Sequence, residues 1–274
     1  MQSTEVHIER PIRSTTPSSW CNAYDPNAQP VIPKGQLYGP TPYDINFCFP
    51  YVPRALETDQ IKLEPFIPRL HGVAFFQHAT SFPEDFHFMR FTPPDTLEGL
   101  LTYVELTYRR NPANMLFVII DKATGRFGGV AGLVNCDAEH RTADIAMGIA
   151  FRGYRGTSGS VLTASLLLRY CMNLPTDDVP GLGLRRVTWT SHASNPRSQG
   201  LARALGMRME MEKRWSRAIS PEKVSNGRML RSGDPCDSQG VDDLFFVMCF
   251  DDWEAGGQNT VAFALATVRY EAKL

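Results

Sequence analysis

The chain has 274 residues, of which 43% are hydrophobic and 21% charged, a composition typical of a globular protein with a full core. Its 28 Lys and Arg residues against 29 Asp and Glu residues give a formal net charge of -1, which argues against the basic field that nucleic acid or an anionic bilayer would require. No apolar run approaches the roughly 20 residues that span a bilayer, and the start of the chain lacks the apolar stretch of a secretory signal. We therefore expect a cytoplasmic protein without nucleic-acid or membrane partners.

The six cysteines are too scattered to form a metal centre. No Cys-x-x-Cys pair occurs, and no cluster of several cysteines and histidines has the spacing of zinc ligands. We predict no metal site. A chain of this length does not need disulfides to stabilise its core, so reduced thiols are expected.

The first 53 residues are rich in proline and aromatic residues and show little periodicity. Proline fixes the backbone angle φ and interrupts helices and strands, so we predict that residues 1–53 form an extended arm rather than a second domain. The segment Tyr38–Tyr51 carries too many aromatic side chains to remain in solvent, and we expect it to pack against the domain. Residues 1–18 should contribute little to activity.

The middle of the chain changes from a helical period to a strand period. A short alternating strand is expected at Ile61–Phe66, followed by helices over Pro68–Thr80 and Thr96–Arg110. Three strands separated by polar turns follow at Met115–Ile120, Phe127–Cys136 and Ala143–Phe151. The three strands predict an antiparallel meander.

A glycine-rich loop, Arg152–Ser160, ends the meander and leads into Val161–Met172, whose apolar residues predict a buried helix. A further strand is predicted at Arg186–His192. We therefore expect the helix to cross over between the third strand of the meander and this strand. Pro196 at a first helical position and Gly206 beyond the last turn predict the bounds of the next helix.

The end of the chain has a weaker pattern. Asp243–Phe250 predicts a final strand. The preceding segment, Ser216–Gly240, is polar enough to predict a flexible excursion.

The glycine-rich loop could hold phosphate, because backbone N–H groups at a helix N-terminus favour phosphate oxygens. It matches no standard phosphate motif, however. No Gly-Lys-Ser/Thr follows, and Gly156 and Gly159 lack the companions of a dinucleotide fingerprint. On the residues alone, a tight turn that uses glycine for positive φ fits equally well.

From about residue 57 onward, several segments follow one another in a specific order: Ile61–Phe66, Asp144–Phe151, Arg155–Tyr170, Leu184–Trp189, Asn195–Ser198 and Ala204–Met207. In this order they resemble the GNAT N-acetyltransferase family, in particular its branch similar to ribosomal-protein N-terminal acetyltransferases and their fungal relatives. The family's Asn-x-x-Ser and Leu-Gly-Phe elements occur in order, the second with Met207 in place of Phe. The closing Asp243–Trp253 is similar to the relatives' last strand.

The resemblance implies an α/β fold with a mixed sheet, in which the antiparallel meander is followed by a helix crossover and two splayed strands. It places the acetyltransferase domain at residues 54–255, between the arm and a C-terminal extension at 256–274. It implies acetyl-CoA as co-substrate, although the loop departs from the family pattern by having Gly153 and Ser158 around Gly156. The residues implied to bind the cofactor are Met147, Ile149, Phe151, Arg152, Arg155, Gly156, Thr157, Ser158, Gly159, Ser160 and Asn195.

Attack of an amine on a thioester needs few special side chains, because the protein has to hold the amine, remove one proton and stabilise an oxyanion. By resemblance, Asp144 is the candidate proton acceptor; an ion pair with Arg141 or Arg186 is the alternative. Ser198 is the candidate proton donor to the leaving thiolate, unless its hydroxyl only caps a helix. Asn195 is expected to cap that helix and also touch the cofactor.

With the resemblance, these features predict an acetyl-CoA-dependent N-acetyltransferase that acts on the amine of a small molecule, either an amino-acid-like compound or a specialised metabolite. Acetylation of a protein N-terminal amine is the nearest alternative, and it needs an open groove beside Phe88–Phe91 and the terminal strand. A GNAT-fold protein that binds CoA or a partner without transfer is the second, because the loop is degenerate. A homodimer is compatible with all three.

Overall fold

The computed structural model describes Asp25, residues 30–154 and residues 158–269. The described residues before Lys34, which are Asp25 and residues 30–33, belong to no helix or strand. The unit Lys34–Leu274 carries the sheet and the helices.

One sheet contains the seven strands β1 (Ile61–Pro65), β2 (Met115–Asp121), β3 (Phe127–Asp137), β4 (Thr142–Ala150), β5 (Arg186–His192), β6 (Arg208–Ile219) and β7 (Gln239–Cys249). Their spatial order is β1-β2-β3-β4-β5-β7-β6. Neighbours are antiparallel except for β4 and β5, which run parallel. The predicted meander and helix crossover are therefore confirmed.

The α-helices of the described chain are α1 (Pro68–Ser81), α2 (Leu97–Val104), α3 (Gly159–Met172), α4 (Pro196–Ala204), α5 (Phe250–Asp252) and α6 (Gln258–Thr267). The helix predicted over Thr96–Arg110 is α2 together with a π turn at Glu105–Arg109. Thr96 caps α2 by accepting a hydrogen bond from the N–H of Gly99. In the described chain, no helix has both the length and the apolar character to cross a bilayer.

The sheet separates two hydrophobic cores, because successive side chains of a strand point to opposite faces. On β2, Met115, Phe117 and Ile119 face α3, α4 and α6, whereas Leu116 and Val118 face α1 and α2. The sheet therefore has an α3/α4 face and an α1/α2 face.

The aromatic segment Tyr38–Tyr51 packs on the domain, which confirms the expectation. The Phe49 side chain is only 4% exposed and belongs to the core on the α3/α4 face. Tyr170 of α3 donates a hydrogen bond of 2.6 Å to the carbonyl oxygen of Pro50. Residues 1–18 lie outside the described residues.

The sequence patterns missed β6, and the predicted excursion is wrong at both ends. Ser216 belongs to β6 and Gly240 to β7, so only residues 220–238 lie outside the strands. The reason is that almost every residue of β6 is solvent-exposed, so the strand shows no apolar alternation.

The chain between β6 and β7 is tied to the sheet. The Asn226 side-chain amide donates to Oδ1 of Asp242 at 3.0 Å, and Arg228 donates to Oδ2 of the same carboxylate at 2.7 Å. Asp242 is 5% exposed and lies on β7. The loop therefore has a fixed course at these residues.

Beyond β7 the chain continues into the core rather than away from it. A π turn at Trp253–Gly257 joins α5 to α6, and α6 lies against α3. Val261 and Ala264 of α6 are buried in the core. The boundaries 54–255 and 256–274 stay predictions.

Candidate active site

β4 and β5 are paired at one end and separate at the other. Their parallel pairing ends where Ile145 lies opposite Trp189, but β4 continues to Ala150 and β5 to His192. Past that point, each strand has no described neighbour on the side that faces the other. Backbone N–H and C=O groups of unpaired edges are free to bind a ligand. We call this gap the β4/β5 wedge.

A β-bulge distorts β4 where the wedge opens. Met147 and Gly148 together lie opposite the single residue Ala131 of β3, and Met147 has a φ of 51°. The extra residue of a bulge is left out of the hydrogen-bonded ladder. A Cβ atom on Gly148 would meet no atom within 4 Å, so the strand faces open space there. The bulge therefore provides both room and backbone groups for a ligand.

The bulge also changes the face to which β4 side chains point. Ile145 lies in the core on the α3/α4 face, but Met147 and Ile149 lie in the core on the α1/α2 face. The side chains of the predicted cofactor residues Met147 and Ile149 are therefore buried in the core, so only their backbone N–H and C=O groups are available to a ligand.

The predicted phosphate loop follows β4 directly. Arg155, Gly156 and Thr157 lie outside the described residues. Ser158 precedes α3, and Gly159, the first residue of α3, is buried. The first N–H groups of a helix have no partner within the helix, so the N-terminus of α3 is chemically suited to an anion.

A glycine pair on β3 fixes the chain just before this loop. A Cβ on Gly128 would lie 2.5 Å from Cδ2 of Tyr154, with two further ring carbons nearer still. Gly129 has a φ of 148° and lies against the backbone of Ile149. The N–H of Phe151 donates to the carbonyl of Gly128 at 2.9 Å. Both glycines are needed because the chain leaving β4 lies directly on β3.

Arg152, a predicted cofactor ligand, is engaged by other side chains. Its guanidinium pairs with Glu84 and lies 4.2 Å from the centre of the Phe82 ring. Glu84 belongs to a short 3-10 helix, Pro83–Phe86, after α1. Both members of the ion pair are exposed, so Arg152 can exchange Glu84 for another anion at small cost.

Asp144, the candidate proton acceptor, lies at the start of the wedge. It is paired in the sheet with Thr188 of β5, next to the last pair of the two strands. Its carboxylate accepts a hydrogen bond of 2.8 Å from the side-chain amide of Asn135. Arg186 pairs with Glu210, and Arg141 donates to the carbonyl of Leu182. The alternative ion pairs proposed for Asp144 are therefore not formed.

Ser198, the candidate proton donor, lies in the first turn of α4. Its hydroxyl oxygen accepts a hydrogen bond of 2.9 Å from the indole N–H of Trp189. The helix is capped by Asn195, whose side-chain oxygen accepts from the backbone N–H of Ser198 at 3.2 Å. The predicted role of Asn195 as a cap is thus confirmed, and the alternative that Ser198 is the cap is wrong.

Asp144 and Ser198 approach the wedge from opposite faces of the sheet. Ala143 and Ile145, the neighbours of Asp144, point to the α3/α4 face, so Asp144 points to the α1/α2 face. Ser198 lies with α4 and Trp189 on the α3/α4 face. A ligand in the wedge would therefore lie between the two side chains.

The chain between α1 and α2 reaches both strands at the open end of the wedge. The centre of the Phe82 ring lies 4.2 Å from the guanidinium carbon of Arg152, which follows β4. The ring of Phe88 packs edge-on against His192, the last residue of β5, at 5.2 Å. We call residues 82–91 the roof segment, because they lie over the wedge on the α1/α2 face.

Cationic side chains fasten the roof segment to the far half of the sheet. Lys223 donates from Nζ to the carbonyl oxygens of Met89 and Phe91, at 3.1 and 2.8 Å. Arg217 of β6 donates to the carbonyl of Phe88 at 3.4 Å. The roof segment and the β6/β7 loop are thus joined by direct hydrogen bonds.

His192 lies at the wedge but is not equipped to be a base. Its Nδ1 accepts a hydrogen bond of 2.9 Å from the N–H of Ser194, so Nδ1 carries no proton. Its Nε2 lies 2.8 Å from the carbonyl of Val224 and donates to it. Both nitrogens of the buried imidazole are occupied, which makes it a structural group.

The sequence patterns did not indicate four further parts of this site, which are Asn135, Trp189, Glu84 and the Gly128–Gly129 pair. Three of them act through contacts with residues that lie far away in the sequence or on another element, for which a single sequence gives no signal. The glycine pair was readable, because adjacent glycines inside a strand indicate a close backbone approach.

Comparison with known proteins agrees with this geometry. The acetyltransferase (GNAT) domain family matches residues 62–208, just over half of the chain. A GCN5-related N-acetyltransferase from Brucella melitensis has the same fold, with a TM-score of 0.60, 21% identity, and coverage of 76% of this chain and 84% of that chain. Spermidine N-acetyltransferase from Vibrio cholerae, solved with CoA and spermine, has a TM-score of 0.55 and 15% identity over 72% of this chain and 99% of that chain. No curated protein sequence matches significantly. The chain belongs to the GNAT acetyltransferase domain family.

Proposed function

We propose that the protein is an acetyl-CoA-dependent N-acetyltransferase that acetylates the amine of a small molecule. The observation that carries the proposal is the β4/β5 wedge, whose two unpaired edges meet a β-bulge at Met147 and lead to the N-terminus of α3. An amide-bearing chain can add to an open strand edge by main-chain hydrogen bonds. The pyrophosphate of the same molecule suits the helix terminus.

The cofactor residues divide into two groups. Met147–Phe151 would bind pantetheine through backbone groups, and the open space at Gly148 leaves room for it. Arg152 and Arg155, with the N–H groups of residues 156–160, would bind phosphate. Asn195 would hold α4 in place beside the cofactor.

The chain's own side chains supply the proton transfers. Asp144 would take the proton that the amine loses as its nitrogen bonds to the thioester carbon, directly or through water. A bulge amide near Met147 would donate to the developing oxyanion. As the carbon–sulfur bond breaks, Ser198 would give its proton to the thiolate and take one from solvent in the same step. Its oxygen accepts from Trp189, so its own hydrogen is not needed for that bond.

The roof segment favours a small acceptor over a protein N-terminus. A peptide would need an open groove beside Phe88–Phe91, whereas Lys223 and Arg217 bind the carbonyls of that segment directly. The resemblance to the branch of ribosomal-protein N-terminal acetyltransferases stays a hypothesis about ancestry. Localisation in the cytoplasm and assembly as a homodimer are likewise proposals.

Thiol release across a panel of primary amines, with mass detection of the acetylated product, tests the proposal. Asp144→Asn should lower turnover most at low pH, where less amine is already neutral and a proton acceptor matters most. Ser198→Ala should lower turnover with little change in acetyl-CoA affinity. Binding of acetyl-CoA without acetylation of any small amine would instead support the transfer-inactive alternative.

A further inference from the structure

A cluster of charged side chains lies where the roof segment meets the end of the wedge. Asp243 of β7 pairs in the sheet with His192 of β5 and is 1% exposed. His192 is three residues beyond Trp189, roughly 10 Å along the strand from the point where the wedge opens. The cluster therefore borders the space available to an acceptor on the α1/α2 face.

The charge of Asp243 is already matched within the fold. Arg217 donates to both carboxylate oxygens at 3.4 Å, and its side chain is only 13% exposed. The hydroxyl of Ser216 donates to Oδ2. One buried arginine thus neutralises the buried carboxylate, and a hydroxyl supplies a further hydrogen bond.

Arg90 of the roof segment brings a second guanidinium to the same carboxylate. Its nitrogen lies 3.5 Å from Oδ2 of Asp243, yet its side chain is 63% exposed. Lys223 adds a third cation nearby. Burial is the main cause that lowers the pKa of Lys223, and repulsion from Arg217 is the second. The carboxylate of Glu222, which is exposed at the surface, opposes this shift by attracting the Lys223 ammonium.

The balance of charge in this cluster is positive. Arg90 and Arg217 both contact the buried carboxylate of Asp243. Lys223 lies close enough to Arg217 to be repelled by it, and Glu222 is the further acidic group beside Lys223. The neighbouring Asp242 is paired with Arg228. Of the three cations, Arg90 alone is both mostly exposed and held by one long contact. A guanidinium in that position presents a forked set of donors that matches a carboxylate.

We propose that Arg90 binds an anionic group of the acceptor, so that the substrate class is an amine that also bears a carboxylate. The inference rests on the proposed function and specifies its acceptor. With the carboxylate on Arg90 at the far end of the wedge, the amine points back toward the bulge in β4. Asp243 and Arg217 keep the roof segment, and with it Arg90, in place.

Matched acceptor pairs test this assignment: β-alanine against β-alaninamide, and the longer 6-aminohexanoate against 6-aminohexanamide. Because an amide lowers the basicity of the neighbouring amine, the diagnostic is how a variant changes the ratio of kcat/KM within each pair. Arg90→Gln should lower kcat/KM for the carboxylates by about tenfold or more and for the amides by less than about twofold, as expected for a lost hydrogen bond between charged groups. The loss should appear mainly in KM, and Arg90→Lys should recover part of it.

Arg208→Gln is the control, because Arg208 is also exposed and pairs with one carboxylate, Asp252, at 2.9 Å. It should leave both members of each pair unchanged. Equal losses for carboxylate and amide in Arg90→Gln would overturn the assignment, as would a wild-type enzyme that acetylates neutral amines but no amino carboxylate. Calorimetry with acetyl-CoA separates the two claims: binding with the wrong acceptor class refutes the role of Arg90 alone, whereas absence of binding refutes the proposed function and this inference with it.

Discussion

The glycine at position 128 offers the sharpest structural test of how the fold positions the proposed phosphate loop. In Gly128→Ala, the new Cβ would lie 2.5 Å from Cδ2 of Tyr154. Carbon atoms in ordinary contact are about 3.5–4.0 Å apart. The Tyr154 ring would have to move by about 1 Å or more, and its backbone, two residues before Gly156, would move with it.

Overpacking of this kind costs about 1–3 kcal/mol of stability. The displaced loop should also bind acetyl-CoA less tightly, by about tenfold if one hydrogen bond to a phosphate is lost. Denaturant unfolding and calorimetry measure the two effects separately. Gly35→Ala is the matched control, since a Cβ on Gly35 would meet nothing within 4 Å and neither quantity should change.

A double-mutant cycle with Tyr154→Ala tests the cause. Removing the ring creates a cavity and lowers stability by itself. In that background, however, Gly128→Ala has no ring to displace, so its own penalty should largely vanish. The same loss of stability from Gly128→Ala in both backgrounds would refute the steric explanation.

Three further predictions concern other contacts. Glu84→Gln should release Arg152 and tighten acetyl-CoA binding by up to about fivefold, which corresponds to the free energy of an exposed ion pair. Unchanged affinity at low salt would show that Arg152 does not bind phosphate. Tyr170→Phe removes the hydrogen bond to Pro50 and should lower the free energy of unfolding by about 0.5–1.5 kcal/mol; an unchanged value would mean that the bond does not hold the arm. Burial by itself raises the pKa of Glu105, but hydrogen bonds from two arginines of its own helix outweigh this and lower the pKa below its usual 4.5. A carboxyl group whose pKa is lower in the folded state stabilises the fold above its unfolded pKa, and this stabilisation is lost as the pH falls through the folded pKa. Glu105→Gln should therefore flatten the fall in the free energy of unfolding below about pH 4.5. An equally steep fall in the variant would contradict this.

Much of the architecture was predictable because local patterns and tertiary structure agree. The strand Arg186–His192 was predicted with the bounds it has, and Asn195 caps α4 as its side chain and position suggest. These elements have apolar periodicity or a local capping interaction, which a single sequence contains.

The bulge in β4 could not be read in the same way. Ile145, Met147 and Ile149 alternate as they would in a regular strand, yet the bulge places the first on one face and the other two on the opposite face. Strand periodicity does not register an added residue when the apolar alternation continues across it. The position of the bulge depends on the partner strand, where Gly129 and Gly132 permit close approach.

Charged residues were harder still to assign. Arg90, Asp243 and Lys223 belong to three separate segments, and their convergence follows from the roof segment crossing the sheet. Only the fold brings these residues together, and no local sequence pattern connects them. For the same reason, the sequence suggested arginine partners for Asp144 where the structure has Asn135.

Amide hydrogen exchange with and without acetyl-CoA tests most directly whether the β4/β5 wedge is the cofactor site. The amides of residues 146–151 and of the first turn of α3 should exchange more slowly when acetyl-CoA is present, because they would donate to pantetheine and phosphate. Those of α6, which packs against α3 and carries none of the proposed cofactor residues, should be unchanged. Protection that spares β4 and the start of α3, or that appears instead at α6, would contradict the account.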